Sequence, residues 1–192
     1  MRGREKFELC EPILNCCVGL ARALPRGVCL LLFEAVKYLP TNLGLAARYI
    51  LLRRLARRCG RCVAIYDGVH LKSIDQLEIG DNVSIHAMSY VDAAGGVVIG
   101  NDVSIAHSCS IVSHEHDYKQ NRVPIREAPS VRKAIRIGSN VWLGCGVRIL
   151  GGVMVGDGSV VGAGSVVTRD VAMECVVAGV PARPLMRRSV AA

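Results

Sequence analysis

Three observations predict an all-β chain of hexapeptide repeats, wound as a parallel three-sided β-helix behind a helical, basic N-terminal region. Aliphatic residues recur every sixth position at Ile137, Leu143, Ile149, Val155, Val161 and Val167. Small residues follow most of them, at Gly138, Gly144, Gly156 and Gly162. The chain is 51% hydrophobic but only 4% aromatic, with two Phe and one Trp, which suits thin stacked coils built from Val, Ile and Gly. A period of six fits neither a helix nor a plain strand alternation, and is the mark of a hexapeptide β-helix. Each hexad makes one short strand and a corner; the aliphatic residue turns inward, and Gly or Asn accepts the corner conformation.

The register extends upstream. Ile79, Ile85 and Val91 head one coil, and Ile99, Ile105 and Ile111 head the next after a two-residue slip at Val97 and Val98. The phase breaks across residues 117–136 and resumes at Ile137, while Ile65 and Leu71 mark an incomplete first coil. About five coils are expected between Ile65 and Ala172, a prism on the order of 24 Å long at strand spacing. The domains predicted are an N-terminal region 1–62, a β-helix 63–183 with the loop excursion 117–136, and a tail 184–192.

The charge is lopsided. Residues 1–62 carry 12 of the 24 Lys+Arg and 4 of the 16 Asp+Glu, so the formal net charge of +8 lies entirely there. The same region holds the apolar run Val28–Phe33 and the run Leu43–Arg58, where Arg48, Arg53, Arg54, Arg57 and Arg58 interrupt the leucines. Neither run reaches the roughly 20 apolar residues needed to span a bilayer, and no secretory signal pattern opens the chain. Two readings stay open: a helical pair lying on an anionic membrane surface, or a cap over the first coil, whose strand edges need cover. Nucleic-acid binding lacks an interleaved aromatic platform. The nine cysteines include a lone Cys59/Cys62 pair and are expected to be reduced, mostly buried and apolar in role, in a cytoplasmic protein.

Chemistry is expected where the repeat is violated. The hexad Ile111-Val-Ser-His-Glu-His116 ends at the break with two imidazoles and a carboxylate, and the excursion beyond it holds Lys119, Arg122, Arg126, Arg132 and Lys133. A long excursion from a compact repeat is usually functional, and a His at its root suits a general base. His116 is the first candidate and His114 the second. A pair of His on a wet corner is the structural alternative. Asp92, after Tyr90 and Val91, is a candidate for binding an acceptor hydroxyl, or a corner residue holding a turn.

The hexads, the His closing one of them, Ile137-Gly-Ser-Asn-Val-Trp-Leu-Gly, Gly156-Asp-Gly-Ser-Val-Val-Gly-Ala-Gly-Ser-Val-Val-Thr and Val177-Ala-Gly-Val-Pro-Ala-Arg183 resemble the hexapeptide-repeat O-acetyltransferases. The pattern is nearest to galactoside and maltose acetyltransferases and to those of capsule, colanic acid and O-antigen synthesis, and it covers about Ile79 to Arg183. The resemblance implies a left-handed coil, a homotrimer with active sites between subunits, acetyl-CoA as donor and no metal. It implies His116 as catalytic base with His114 secondary, and donor contacts at Cys145, Ala163, Thr168, Arg169 and Arg183. Cys145 stands where relatives have Ser, and Met186 where a second basic residue is common, with Arg187 and Arg188 nearby. Trp142 either lines the donor slot or contacts a neighbouring subunit. The implied reaction is direct acetyl transfer to a hydroxyl of a sugar or polysaccharide precursor, with the protein cytoplasmic or peripheral at the inner membrane face. Alternatives are an N-acetyltransferase acting on an amino sugar, a non-catalytic scaffold, and a γ-type carbonic anhydrase drawing zinc ligands from His86, His107, His114 and His116.

Overall fold

In a computed structural model, which describes residues 3–119 and 123–188, the hexads wind into a parallel β-helix with three flat faces. Arg122 and the end of the tail, 189–192, lie outside the described residues. The first face stacks Arg58–Cys59, Leu77–Ile79, Val97–Ile99, Ile135–Ile137 and Met154–Val155. The third stacks His70–Lys72, Tyr90–Asp92, Ser110–Val112, Arg148–Ile149 and Val166–Val167. The second carries the matching strands from Ala64–Ile65 to Cys175–Gly179, where the chain doubles back antiparallel as Ala182–Arg187. The first coil is complete rather than partial, because Arg58–Cys59 pairs with Glu78–Ile79 ahead of any aliphatic hexad head. Five coils are closed and a sixth is begun by a bridge from Val155 to Val171.

Like stacks on like. Ile79 pairs with Ile99, Ile99 with Ile137, and Ile137 with Val155. Every aliphatic hexad head from Ile65 to Val167 is between 0% and 3% exposed. The period that reads as a slip at Val97 is a corner enlargement at the third vertex. The 3-10 turn Ile74–Gln76 adds it in the first coil, and the turn at Ala93–Gly96 in the second.

The corners explain the Gly and Asn signals. One column of positive-φ residues runs Cys62, Asn82, Asp102, Asn140, Gly158, Glu174, and a second runs Gly68, Met88, Ser108, Gly146, Gly164. Ser108 at φ 60 sits where Gly sits in other coils. The left-handed conformation costs a non-Gly residue about 1–2 kcal/mol, and Gly gives back about 0.5–1 through its freer unfolded chain. Ser108→Gly is therefore expected to stabilise by about 0.5–1 kcal/mol, read as a raised denaturation midpoint.

The N-terminal region forms three helices, α1 (Gly3–Arg22), α2 (Arg26–Ala35) and α3 (Thr41–Leu55). α3 closes the first coil with Leu52 and Leu55 fully buried. The helical part of the arginine-studded run thus caps the first coil. Arg48 is 1% exposed; its Nε donates to the Ile65 carbonyl at 2.7 Å, and one Nη to those of Val36, Leu39 and Lys37 at 2.8, 2.9 and 3.3 Å. Gly44 is required beside it, since a Cβ there would lie 1.9 Å from the Leu39 carbonyl oxygen. α1 is tied to the first coil by a bidentate pair of Arg61 with Glu11, at 2.7 and 2.6 Å.

All nine cysteines are thiols, but fewer are buried than their apolar role suggests: Cys29, Cys109 and Cys175 are buried, while Cys10 and Cys16 are exposed on α1. Cys59 is pushed up to about 12 by burial. Among the described residues, no group of three or more His, Cys, Asp and Glu is placed to hold a metal ion.

Candidate active site

The repeat break is an antiparallel hairpin rather than an irregular loop. His114–His116 pairs with Ser130–Arg132, His114 opposite Arg132 and His116 opposite Ser130. It springs from the vertex between the third and first faces, at the third coil. Its root closes on itself: the Lys133 N–H donates to the Ser113 carbonyl at 2.8 Å. Buried Ser113 accepts from the Gly95 N–H and donates to the Asp92 carbonyl, both at 2.8 Å. Lys133 forms an ion pair with Glu115 on the outgoing strand, which raises the lysine pKa.

Asp92 sits at the same vertex. One carboxylate oxygen accepts from the Ala94 N–H at 3.0 Å, which is the turn-holding role. The other lies 3.9 Å from His114 Nδ1 and accepts from the Tyr90 hydroxyl at 3.4 Å. Burial, and then the Asp92 charge, raise the Tyr90 pKa, so the phenol stays protonated as a donor. His114 Nδ1 is buried with no hydrogen-bond partner within bonding distance, so the Asp92 carboxylate is the acceptor it faces. His116 is exposed, with Nδ1 3.4 Å from the Ala128 carbonyl oxygen of the returning limb. Tyr90 was legible in principle: two residues before Asp92 on one strand, it must share its face. Ser113 and the Lys133–Glu115 pair carry no such signal, because they depend on where the excursion returns.

The other predicted residues fall on two edges. Cys145 and Ala163 stack at the vertex between the second and third faces, where the Gly164 N–H donates to the Cys145 carbonyl at 2.8 Å. Space is tight and residues are small here: a Cβ on Gly144 would lie 2.6 Å from the Ala163 nitrogen. Higher on this column the residues are large, with Tyr66 stacked on His86 at 4.4 Å. Trp142 points outward from the second face, 54% exposed. Arg183 pairs beside Ala178 at the lower end of the same edge. Thr168 and Arg169, both exposed, lie instead on the His114 edge, at the positions in the fifth coil that Val112 and Ser113 hold in the third. Within one chain the third face separates the imidazoles from Trp142, Cys145, Ala163 and Arg183. His86 and His107 do not join His114 either.

Residues 134–169 match the family model described as bacterial transferase hexapeptide (six repeats). A search of curated protein sequences finds no match. Among solved structures, the chain is similar to a maltose O-acetyltransferase from Clostridium difficile 630, at 24% identity over 86% of this chain and 87% of that one, TM-score 0.76, a likeness of fold. It is similar to a galactoside acetyltransferase in complex with coenzyme A, at 25% identity over 84% and 80%, TM-score 0.74. It is also similar to a hexapeptide-repeat acetyltransferase from Vibrio cholerae O1 biovar eltor complexed with acetyl coenzyme A, at 26% identity over 97% and 98%, TM-score 0.71. The chain thus carries the bacterial transferase hexapeptide repeat and shares its stacked-coil fold with hexapeptide-repeat acetyltransferases.

Proposed function

We propose that the protein transfers acetyl from acetyl-CoA to a hydroxyl of a sugar or surface-polysaccharide precursor, directly and without an acyl-enzyme. The observation that carries the mechanism is the Asp92–His114 pair at the hairpin root. With its Nδ1 proton directed at Asp92, His114 presents Nε2 as a base. It takes the proton of the acceptor hydroxyl as the oxygen attacks the thioester carbonyl, and returns it to the CoA thiolate as the tetrahedral adduct collapses. The Tyr90 hydroxyl supports the carboxylate from the other side. His116 is the second imidazole. Its orientation by the Ala128 carbonyl would also leave Nε2 as an acceptor.

The donor residues support a homotrimer. The small-residue edge at Cys145 and Ala163 lets a pantetheine arm approach the backbone, while the base lies across the third face. Apposing the His114 edge of one copy to the Cys145 edge of the next completes a site that one chain does not contain. Arg183 and Arg169 are exposed cations suited to CoA phosphates. Trp142, on the outer second face, suits that same seam. Thiol cysteines, two of them exposed, suit a reducing cytoplasm.

The test is thiol release from acetyl-CoA with a panel of hydroxyl and amino sugars. Expected is sugar-dependent turnover giving a product whose acetyl is removed by mild hydroxide, as an ester is and an amide is not. An alkali-stable product would make the enzyme an N-acetyltransferase, and absence of saturable CoA binding would overturn the reading. Arg183→Ala is expected to raise the acetyl-CoA KM about tenfold with kcat little changed, the mark of lost ground-state binding.

A further inference from the structure

α1 is apolar on two opposite sides. Leu14, Val18 and Ala21 are buried toward the core, as any cap requires. On the other side Leu9, Ile13, Cys16 and Leu20 recur at spacings of four, three and four, which places them in one stripe along the helix. Leu9, Ile13 and Leu20 are 71%, 68% and 69% exposed. From Leu9 to Leu20 the only charged side chain is Glu11, and it is engaged by Arg61. α2 continues the pattern, with Leu31 at 74% exposed and Val28 and Leu32 beside it. Large apolar side chains exposed in such numbers mark a binding surface.

We propose that the outer faces of α1 and α2 dock on an anionic lipid bilayer, leucines at the acyl boundary and the surrounding arginines at the headgroups. The inference is independent of the acetyl-transfer proposal. Charge selects the occupant. The region carries the whole formal net charge of +8. Of its acidic residues, Glu11 is engaged by Arg61 and Glu34 by Lys37. Arg22 and Arg58 remain exposed, while Arg57 is paired with Glu78. A second copy seated on this face would bring two strongly cationic regions together, which Coulomb repulsion opposes, whereas anionic headgroups attract each nearby arginine by about 1 kcal/mol. No helix among the described residues is long and apolar enough to cross a membrane, so the helices lie in the interface rather than span it. α3 is excluded from this surface by its buried Leu52, Leu55 and Arg48.

The experiment is co-sedimentation of the full chain with vesicles of phosphatidylcholine alone and of phosphatidylcholine with phosphatidylglycerol, at low and high salt. Expected is binding to the anionic vesicles that weakens with salt. In Leu9→Ser/Ile13→Ser/Leu20→Ser, binding falls at least about tenfold, because each serine removes buried apolar area. Thermal melting of the variant should be little changed, since all three side chains are largely exposed. Arg22→Gln should reduce the salt dependence and leave the melt alone. Failure to bind anionic vesicles, or equal binding to both vesicle types, overturns the proposal. So does a triple variant that keeps vesicle binding but loses its oligomeric mass by light scattering, which would give the stripe to a second copy.

Discussion

His114→Ala is expected to lower kcat by about a hundredfold or more, the typical contribution of a positioned general base. Acetyl-CoA KM should change little, since Cys145, Ala163 and Arg183 lie on another edge and the donor cation Arg169 is left intact. Asp92→Asn should lose most of the same factor, because an amide no longer fixes the imidazole tautomer. The Asp92 turn is kept in that variant, as the asparagine oxygen still accepts from Ala94. The measurement is steady-state thiol release for the three proteins with one responsive sugar. His116→Ala is the control on the same hairpin, where exposure and a 3.4 Å contact to the Ala128 carbonyl predict a loss below about tenfold. A large loss in His116→Ala with activity retained in His114→Ala would move the base to the hairpin's outer ring.

Arg48→Met is expected to destabilise the protein by about 3–5 kcal/mol, as removing one side of a buried charged network does. Methionine fills similar volume but leaves the carbonyls of Val36, Leu39 and Ile65 facing a dry space between α3 and the first coil. Burial lowers the guanidinium pKa, and the nearby Asp67 opposes that shift, so the charge is retained at a desolvation cost that only these acceptors offset. Arg48→Lys should recover only part of the loss, because a point ammonium cannot replace a fork spread over several carbonyls. Denaturant midpoints of the three chains decide it. A loss below about 1 kcal/mol in Arg48→Met would mean the cap is held by Leu52 and Leu55 alone.

The β-helix was legible because its core is one-dimensional. Each hexad head meets the head one coil below, so the period alone names nearly every buried residue, from Ile65 to Val167. The cap was legible only as a charge anomaly. Arg48, Arg53 and Arg54 look alike in sequence, and nothing local tells which arginine will find four carbonyls. The hairpin was legible as a break but not as paired strands, since its pairing of Glu115 with Val131 spans residues with no repeat to anchor them. The two edges of the site were invisible for a different reason. A residue's vertex depends on counting every corner insertion before it, and the enlargements near Ser73 and Ala93 shift that count.

Because Ser113 and Lys133 meet through a single backbone hydrogen bond, the segment between them hangs from the prism like a pendant on a closed clasp. Its length can change without moving any rung of the ladder, and the coil below resumes in register whatever the pendant carries. His114 is the first residue of the pendant, immediately beside the clasp, and faces Asp92 of the prism at 3.9 Å. The hairpin beyond His114 can therefore vary while the His114 ring stays beside Asp92.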